Sequence, residues 1–522
     1  MNTTTSSIDS RIAGAGAALA SMGATELLAN ALRPNPGPVE AVSARVIGYA
    51  PTWFVELGKS LFGFSDKLAL IIGTVILTLI IGTQLGRLAR ENLRWSILGV
   101  VGLQFVGYLA MVTDDNGSAG PSMFLFVVGC MVGIFALVVL MALVTPRTPL
   151  TDGQADMHDP TKPPVPRRTF LGAAGVIAAG GALMGVGATR LRSSGPVSDA
   201  SLPPLPNSPQ AEAIDALVAA ANQSEVASTS GITPAVVSNE NFYRIDTSLF
   251  IPTINAETWT LEIDGLVDTP RTYTYAELVE RSTTVAPVTL SCVSNETGGP
   301  LVGNAVWQGV PLKDLLDEVG VQAGASQIAS FADNWSCGFP TAAIDDERMA
   351  LVATGMNGEP LPPRHGFPAR LVVSGLYGYV SATKWLRRIE LTTLDDFDGF
   401  WIDKGWSKIA PVKIQSRIDR PLPSESLDSA TVDIAGVAWA PNVGIKSVEV
   451  QVDDGAWLDA ELGESLGPDS WLQWRLRWKA SSGDHTVRVR ATDNEGKTQT
   501  EEIQPPRPDG ATGLHSRRFS VS

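Results

Sequence analysis

The sequence predicts a multidomain chain: an N-terminal bundle of about five transmembrane helices, then an α+β domain, then a small antiparallel β-sandwich. Three observations lead there. Long uncharged apolar runs are confined to the first 192 residues. Beyond a Ser- and Pro-rich stretch, helical and strand spacings mix unevenly, and past about Pro411 most segments alternate with period two. Charge marks the same division. Residues 1–198 carry 14 Lys and Arg against 11 Asp and Glu, a balance of +3, whereas residues 199–522 carry 25 against 43, a balance of −18. The acidic part excludes nucleic acid as an expected partner, because phosphate backbones need clustered Lys and Arg. Three cysteines are too few for a disulfide scaffold.

Spans are expected at about 12–32, 67–87, 94–113, 122–144 and 169–190 within a module covering 1–192. Leu68–Leu85, Trp95–Thr113 and Gly117–Thr145 are uncharged and long enough to cross about 30 Å of hydrocarbon. The first candidate, Ile12–Leu32, is rich in Ala and Gly and interrupted by Glu26. The fifth follows Pro166-Arg-Arg-Thr-Phe-Leu171, which reads either as an internal twin-arginine export signal or as flanking cytoplasmic charge. Arg87, Arg90 and Arg94 lie between the second and third spans, and Arg147, Lys162, Arg167 and Arg168 before the fifth. The positive-inside rule puts both connections in the cytoplasm, so the N-terminus is inside and everything after about residue 192 faces the extracytoplasmic side of a cell membrane. A signal peptide is the rival reading of the first span, and it leaves this orientation unchanged.

Residues 193–230 read as a linker: Ser193–Ser208 is rich in Ser, Pro and Gly, and Ala211–Asn222 has the composition of a short helix. The α+β domain is expected over 231–410. Thr258–Gly265 alternates as a strand, Tyr275–Glu280 and Pro311–Val319 have helical spacing, and Ala369–Ser374 and Arg388–Leu391 look like buried strands. No phosphate-binding loop or dinucleotide fingerprint is present. Over 411–522, the segments Ala430–Trp439, Ile445–Val452, Trp471–Trp478 and His485–Ala491 alternate with period two between turns such as Asp453-Asp-Gly. This is the pattern of a sandwich of immunoglobulin type. Trp471, Trp474 and Trp478 are expected to pack in its core and between domains.

The most informative constellation pairs Cys292, in Val288-Thr-Leu-Ser-Cys-Val-Ser-Asn-Glu296, with Pro363-Arg-His-Gly-Phe-Pro-Ala-Arg370. A thiolate is a soft ligand suited to a heavy redox metal. His365, Arg370 and Lys384 are three potential cations for an anionic phosphate. Spacing alone does not name the cofactor. The words around the spacing resemble the sulfite oxidase family of molybdenum–molybdopterin enzymes, through Cys292, Gly355–Pro363 and Gly378-Tyr-Val-Ser-Ala-Thr-Lys-Trp385, over roughly residues 231–522.

That resemblance implies an oxidoreductase that moves an oxygen atom with two electrons. It implies Cys292 as the metal ligand, and Asn241, Tyr243, Asn295, His365, Arg370, Ser381 and Lys384 as further contacts to the molybdenum–molybdopterin cofactor. Arg244 would stand beside the metal, with a salt bridge to a neighbouring Asp as its structural alternative. The C-terminal sandwich resembles the family's dimerisation domain. Departures matter too: Glu296 and Thr297 stand where animal sulfite oxidases carry arginines, and Trp406 where they carry tyrosine, so sulfite is less well supported than molybdenum. Cys337 matches no ligand position, and a Cys292–Cys337 disulfide would abolish metal binding. With no Cys-x-x-Cys-His and only four histidines, no haem is expected in this chain. A separate electron-transfer partner, a cytochrome or membrane redox protein, is therefore implied alongside the lipid bilayer and a small-molecule substrate. Two other readings stay open: a reductase of S- or N-oxides fed from the membrane, and a cofactor-free adhesion or receptor protein.

Overall fold

The computed structural model describes residues 3–32, 36–51, 66–114, 118–144, 167–193, 204–248 and 251–522, apart from 253, 334, 347 and 429, together with 54, 57, 58 and 61. Arg147, Lys162 and the 194–203 part of the expected linker lie outside the described residues. The chain divides into two compact units: residues 1–197 with 248–250, and residues 198–247 with 251–522.

The first unit is helical: α1 (Thr3–Ala31), α2 (Pro38–Tyr49), α3 (Asp66–Glu91), α4 (Leu93–Val112), α5 (Ala119–Val144) and α6 (Arg167–Ser193). Its hub is α1, which packs against α3, α5 and α6. Small residues make this possible. A Cβ at Gly14 would overlap the Gly82 carbonyl of α3, and one at Gly23 would overlap Gly181 of α6, so the backbones touch. The Ala and Gly content that weakens α1 as an apolar run is thus what lets three helices approach it.

Glu26 interrupts that run for a local reason. Its carboxylate accepts the Val39 N–H at 2.7 Å and so supplies the cap that Gly37 lacks at the start of α2. Nothing in the sequence reading anticipated α2.

Four described helices are long and apolar enough to cross a membrane: Ile8–Asn30, Leu68–Glu91, Leu93–Val112 and Ala119–Val144. The expected fifth span is not among them. Within α6 the apolar stretch among the described residues is Arg168–Met184.

Two sheets carry the α+β part of the second unit. One joins β1 (Thr260–Gly265), β2 (Arg271–Thr274), β5 (Gln327–Ala332), β6 (Trp335–Pro340) and β10 (Arg388–Thr392) in the order β2-β1-β10-β5-β6, with β1 and β10 parallel. The other runs β3 (Thr284–Ser291), β4 (Val302–Pro311), β7 (Ala350–Met356), β8 (Glu359–Pro360), with β9 (Arg370–Val373) also on β7. Nearly every β4 and β7 side chain is buried, so these strands show none of the alternation that marks a half-exposed sheet.

The helix α7 (Pro209–Gln223) does not hang in a tether. Ser208 donates its hydroxyl to the Thr283 carbonyl at 2.6 Å, the Val285 N–H of edge strand β3 donates to Gln210 Oε1 at 3.0 Å, and Ile214 is buried with Val285 and Val306. Residues 204–223 therefore cover the open edge of β3.

Past residue 411 two sheets face one another. One is β11 (Gln415–Arg420), β13 (Thr431–Trp439), β17 (Leu472–Lys479), β16 (Glu461–Leu462). The other is β12 (Ser426–Leu427), β19 (His515–Val521), β18 (Gly483–Asp493), β14 (Ile445–Val452), β15 (Leu458–Asp459). Ile418, Ile434 and Trp474 from the first share a core with Val450, Val487, Val489 and Phe519 from the second. Trp471 belongs instead to the core of the α+β part, where its indole N–H donates to the Ala235 carbonyl at 2.8 Å.

Candidate active site

The chain leaves β3 at Ser291 and turns at once. Cys292 donates its N–H to the Leu301 carbonyl at 2.9 Å, and Asn295 donates its own to the Cys292 carbonyl at 3.0 Å. Asn295 Oδ1 then accepts the Leu301 N–H at 2.8 Å, which closes the loop across its base. Asn295 is thus a brace for the loop that carries the thiol.

The sandwich holds the same loop from outside. Thr297 donates its hydroxyl to the Thr512 carbonyl at 3.1 Å, and Arg417 donates to the Gly299 carbonyl at 3.2 Å. Gly298 sits at φ +77°, and a Cβ there would overlap the His515 ring.

Cys292 is buried and carries a thiol, as does Cys337, so the disulfide alternative is not formed. Cys337 lies on β6 within 3.0 Å of the Thr383 hydroxyl and 3.3 Å of the Ser330 hydroxyl, and burial pushes its thiol pKa up. It is a core residue.

Two tyrosines feel the charge of Cys292. Burial raises the Tyr243 phenol well above the ordinary range, Cys292 adds to that, and Arg370 opposes it. Burial likewise pushes Tyr377 up to about 12, with Asp509 and Cys292 adding to the effect. Tyr377 and Asp509 were not singled out from the sequence. The signal that could have found Tyr377 is its place next to Gly378, at the start of the segment that carries Ser381 and Lys384.

The cationic end is built around Gly366, at φ +115°, where the missing side chain lets both Arg370 and Lys384 pack close against it. Arg370 is 5% exposed and stacks 4.8 Å from the Trp307 ring. Its guanidinium donates to the carbonyls of His365 at 3.1 Å and Ala382 at 3.4 Å, and among the described residues no carboxylate pairs with it. Burial lowers its pKa to about 10, so it remains charged at neutral pH.

Lys384 donates to Asp246 Oδ2 at 2.6 Å, and burial draws its pKa down to about 8. Arg244 donates its Nε–H to the same Asp246 oxygen at 2.9 Å, which ties it to Lys384. The salt bridge expected as its alternative is therefore present.

His365 corrects one expectation. Its Nε2 lies 2.6 Å from the Asn239 carbonyl, an acceptor only, so the proton sits on Nε2. Burial lowers its pKa to about 4. At neutral pH it is a neutral ring and not a third cation.

The remaining sequence candidates are placed as follows. Ser381 is buried and donates its hydroxyl to the Tyr377 carbonyl at 3.1 Å. Asn241 is exposed and donates its amide to the Ser238 hydroxyl at 3.0 Å. Glu296 is exposed, and Trp406 is half-buried with its ring 5.8 Å from that of Tyr379.

These residues fit a phosphorylated metal cofactor. A buried guanidinium without a carboxylate, beside a buried ammonium, leaves positive charge that an anion would neutralise. A thiol on a braced loop provides the soft donor.

Comparison with known proteins agrees. Residues 248–401 match the model of the oxidoreductase molybdopterin binding domain. Mitochondrial sulfite oxidase of Drosophila melanogaster is 29% identical over 322 residues, covering 51% of this chain and 55% of that protein. The human enzyme is 29% identical over 238 residues, covering 39% and 44%. A nitrate reductase [NAD(P)H] of Hordeum vulgare is 36% identical over 166 residues, covering 27% and 18%. The chain thus spans about half or less of the curated relatives it matches. Among solved structures, the sulfane dehydrogenase SoxCD from Paracoccus pantotrophus aligns over 57% of this chain and 85% of that one, at 22% identity and a TM-score of 0.49. Residues 248–401 thus carry an oxidoreductase molybdopterin binding domain, and the chain is similar to sulfite oxidases over that domain and its surroundings.

Proposed function

We propose a membrane-anchored molybdenum–molybdopterin oxidoreductase that transfers an oxygen atom to or from a small sulfur or nitrogen compound, with oxidation as the preferred direction. The observation that carries this reading is Arg370: a buried charged guanidinium that, among the described residues, meets carbonyls and an indole face and no carboxylate, flanked by Lys384. When bound, the cofactor supplies the two-electron chemistry. The chain's own residues do the rest. Arg370 and Lys384 hold the phosphate, neutral His365 presents its second ring nitrogen as an acceptor, and the loop braced by Asn295 presents the Cys292 thiolate to the metal. Tyr243 and Tyr377, held protonated by burial, are hydrogen-bond donors on the thiol side.

The substrate side carries little positive charge. Glu296 is exposed, Thr297 is engaged with the sandwich, and Arg244 is bound to Asp246. A less charged compound than sulfite is therefore the better substrate. Molybdenum analysis should find about one metal per chain, and steady-state assays at low ionic strength should show weak or no sulfite turnover. Efficient sulfite oxidation, with a Michaelis constant near the low micromolar end of the usual range, would refute the substrate assignment. Metal-free protein would refute the whole reading.

The proposed topology has five spans, an inner N-terminus and an outer catalytic domain. A reporter fused after Arg192 should be active only outside; activity in the cytoplasm would reverse it. The sandwich order β11-β13-β17-β16 over β12-β19-β18-β14-β15 supports an immunoglobulin-like domain, and by family resemblance a homodimer formed through it. Electrons pass to a separate cytochrome or membrane redox protein.

A further inference from the structure

The cations of the clamp converge on a carboxylate that no motif singled out. Asp246, 5% exposed, accepts from Lys384 Nζ at 2.6 Å and from Arg244 Nε at 2.9 Å, with Arg244 Nη2 at 3.5 Å from its second oxygen. Lys384 is itself only 9% exposed, whereas Arg244 is 30% exposed. We propose that Asp246 is the positioning residue of the phosphate clamp, holding the Lys384 ammonium and the Arg244 guanidinium beside Arg370 so that the clamp is assembled before an anion enters it. This rests on reading the clamp as a phosphate holder.

The argument is one of charge and burial. Lys384 is faced by Asp246, Arg244 and Arg370, and its ammonium lies 4.9 Å from the Trp385 ring centroid. Burial and both arginines disfavour its charged form, while Asp246 supports it. Take the carboxylate away, and a nearly buried ammonium is left among like charges, where it sheds its proton or turns to solvent. Arg244, more exposed, loses what ties it to the site.

A carboxylate beside a phosphate also repels it, so the opposite sign has to be weighed. Three cations against one carboxylate leave two positive charges, enough to neutralise a phosphomonoester dianion. The single negative charge is thus offset by what it organises. A clamp formed in advance also spares the anion the cost of ordering long side chains on binding.

The test uses the full chain in detergent, purified from cells that cannot make the pterin, with inorganic phosphate as the probe. Calorimetric titrations run from about pH 6 to about pH 9 on wild type, Asp246→Asn, Asp246→Glu and Lys384→Met. The titration of phosphate itself is common to every arm.

Asp246→Asn should weaken phosphate about tenfold near neutrality, as expected for loss of a charge-assisted contact. It should also move the loss of affinity on raising the pH to lower pH, because Lys384 gives up its proton sooner. Asp246→Glu should recover most of the affinity and the wild-type pH profile. Combined with Lys384→Met, Asp246→Asn should no longer move the pH profile, and only the part of its loss that runs through Arg244 should remain. Pterin content of the same variants made in pterin-producing cells should follow the same order.

Equal or tighter phosphate binding by Asp246→Asn with an unchanged pH profile would overturn the proposal, as would a glutamate variant no better than the asparagine one. Should Asp246→Asn fail to fold, Asp246→Glu decides alone: a small loss with the profile kept supports positioning, and a complete loss of binding overturns it. Failure of the underlying reading looks different. Wild type would then bind no phosphate, and Arg370→Ala would leave pterin content unchanged.

Discussion

The two ends of the candidate site are held in opposite ways. At the thiol end, Cys292 is placed by backbone: its loop is closed by Asn295 and Leu301 and fixed from outside by Thr512, Arg417 and His515 of the sandwich. The buried charge that helps there, Arg417, is paired with Asp419 at 2.7 Å. At the clamp end, Arg370 and Lys384 are buried charges, one resting on carbonyls and an indole face, the other on a single carboxylate. Buried charge is costly, so the clamp end is the less favourable part of the fold until an anion arrives. One end is positioned for a ligand, and the other is incomplete without one.

The sharpest break of this comparison is a pair of substitutions. Cys292→Ser should leave folded protein with its pterin but reduce oxygen-atom transfer to background, because a hydroxyl is a harder, poorer ligand. Arg370→Ala should do the reverse and lose the pterin: breaking a buried ion pair costs about 3–5 kcal/mol, a drop in affinity of two orders of magnitude or more. Pterin fluorescence after acid release, beside turnover, separates the two. Equal pterin loss in both variants would erase the distinction between the ends.

A smaller effect tests the sandwich's hold on the loop. Gly298→Ala meets a left-handed φ and the His515 ring together, so it should destabilise by about 2–3 kcal/mol. Gly496→Ala has φ +87° but open space around it, and should cost about 1 kcal/mol. Thermal unfolding of both decides. Equal losses would mean that the contact with His515 adds nothing.

The smallest effect is on pH dependence, where two buried histidines act with opposite sign. His485 bonds Asp453 at 2.9 Å, and its pKa is raised mainly by that bond. Its contribution to stability is complete below the ordinary histidine range near 6.5 and is lost as pH rises through the raised value. His365 is lowered to about 4 by burial, so its contribution is present above about 6.5 and is lost as pH falls toward 4. Asp453→Asn should flatten the alkaline side only. A change on the acid side instead would mean that the assignments are exchanged.

Much of the fold was legible because its signals are local. Ile445–Val452 alternates along the sequence, and it is β14. Asp66–Glu91 is apolar throughout, and it is α3. By contrast α2 escaped notice because its start is capped by Glu26, 13 residues away on another helix. The strands β4 and β7 escaped because burial on both faces removes any period. In the site, Cys292, His365, Arg370 and Lys384 were recognisable as residue types in a family pattern, while Asp246 and Tyr377 were not.

The sequence by itself determined the division into an apolar helical part and an acidic β-rich part, a family resemblance, and the candidates for a soft donor and a set of cations. Those follow from composition and short-range pattern, which need no partner in space. Only the tertiary structure decided that His365 is neutral, that Arg244 is bound to Asp246, that the sandwich grips the Cys292 loop, and that α1 is the hub of its bundle. Each of these depends on burial and on groups distant in sequence, and desolvation and contact exist only once the chain has folded.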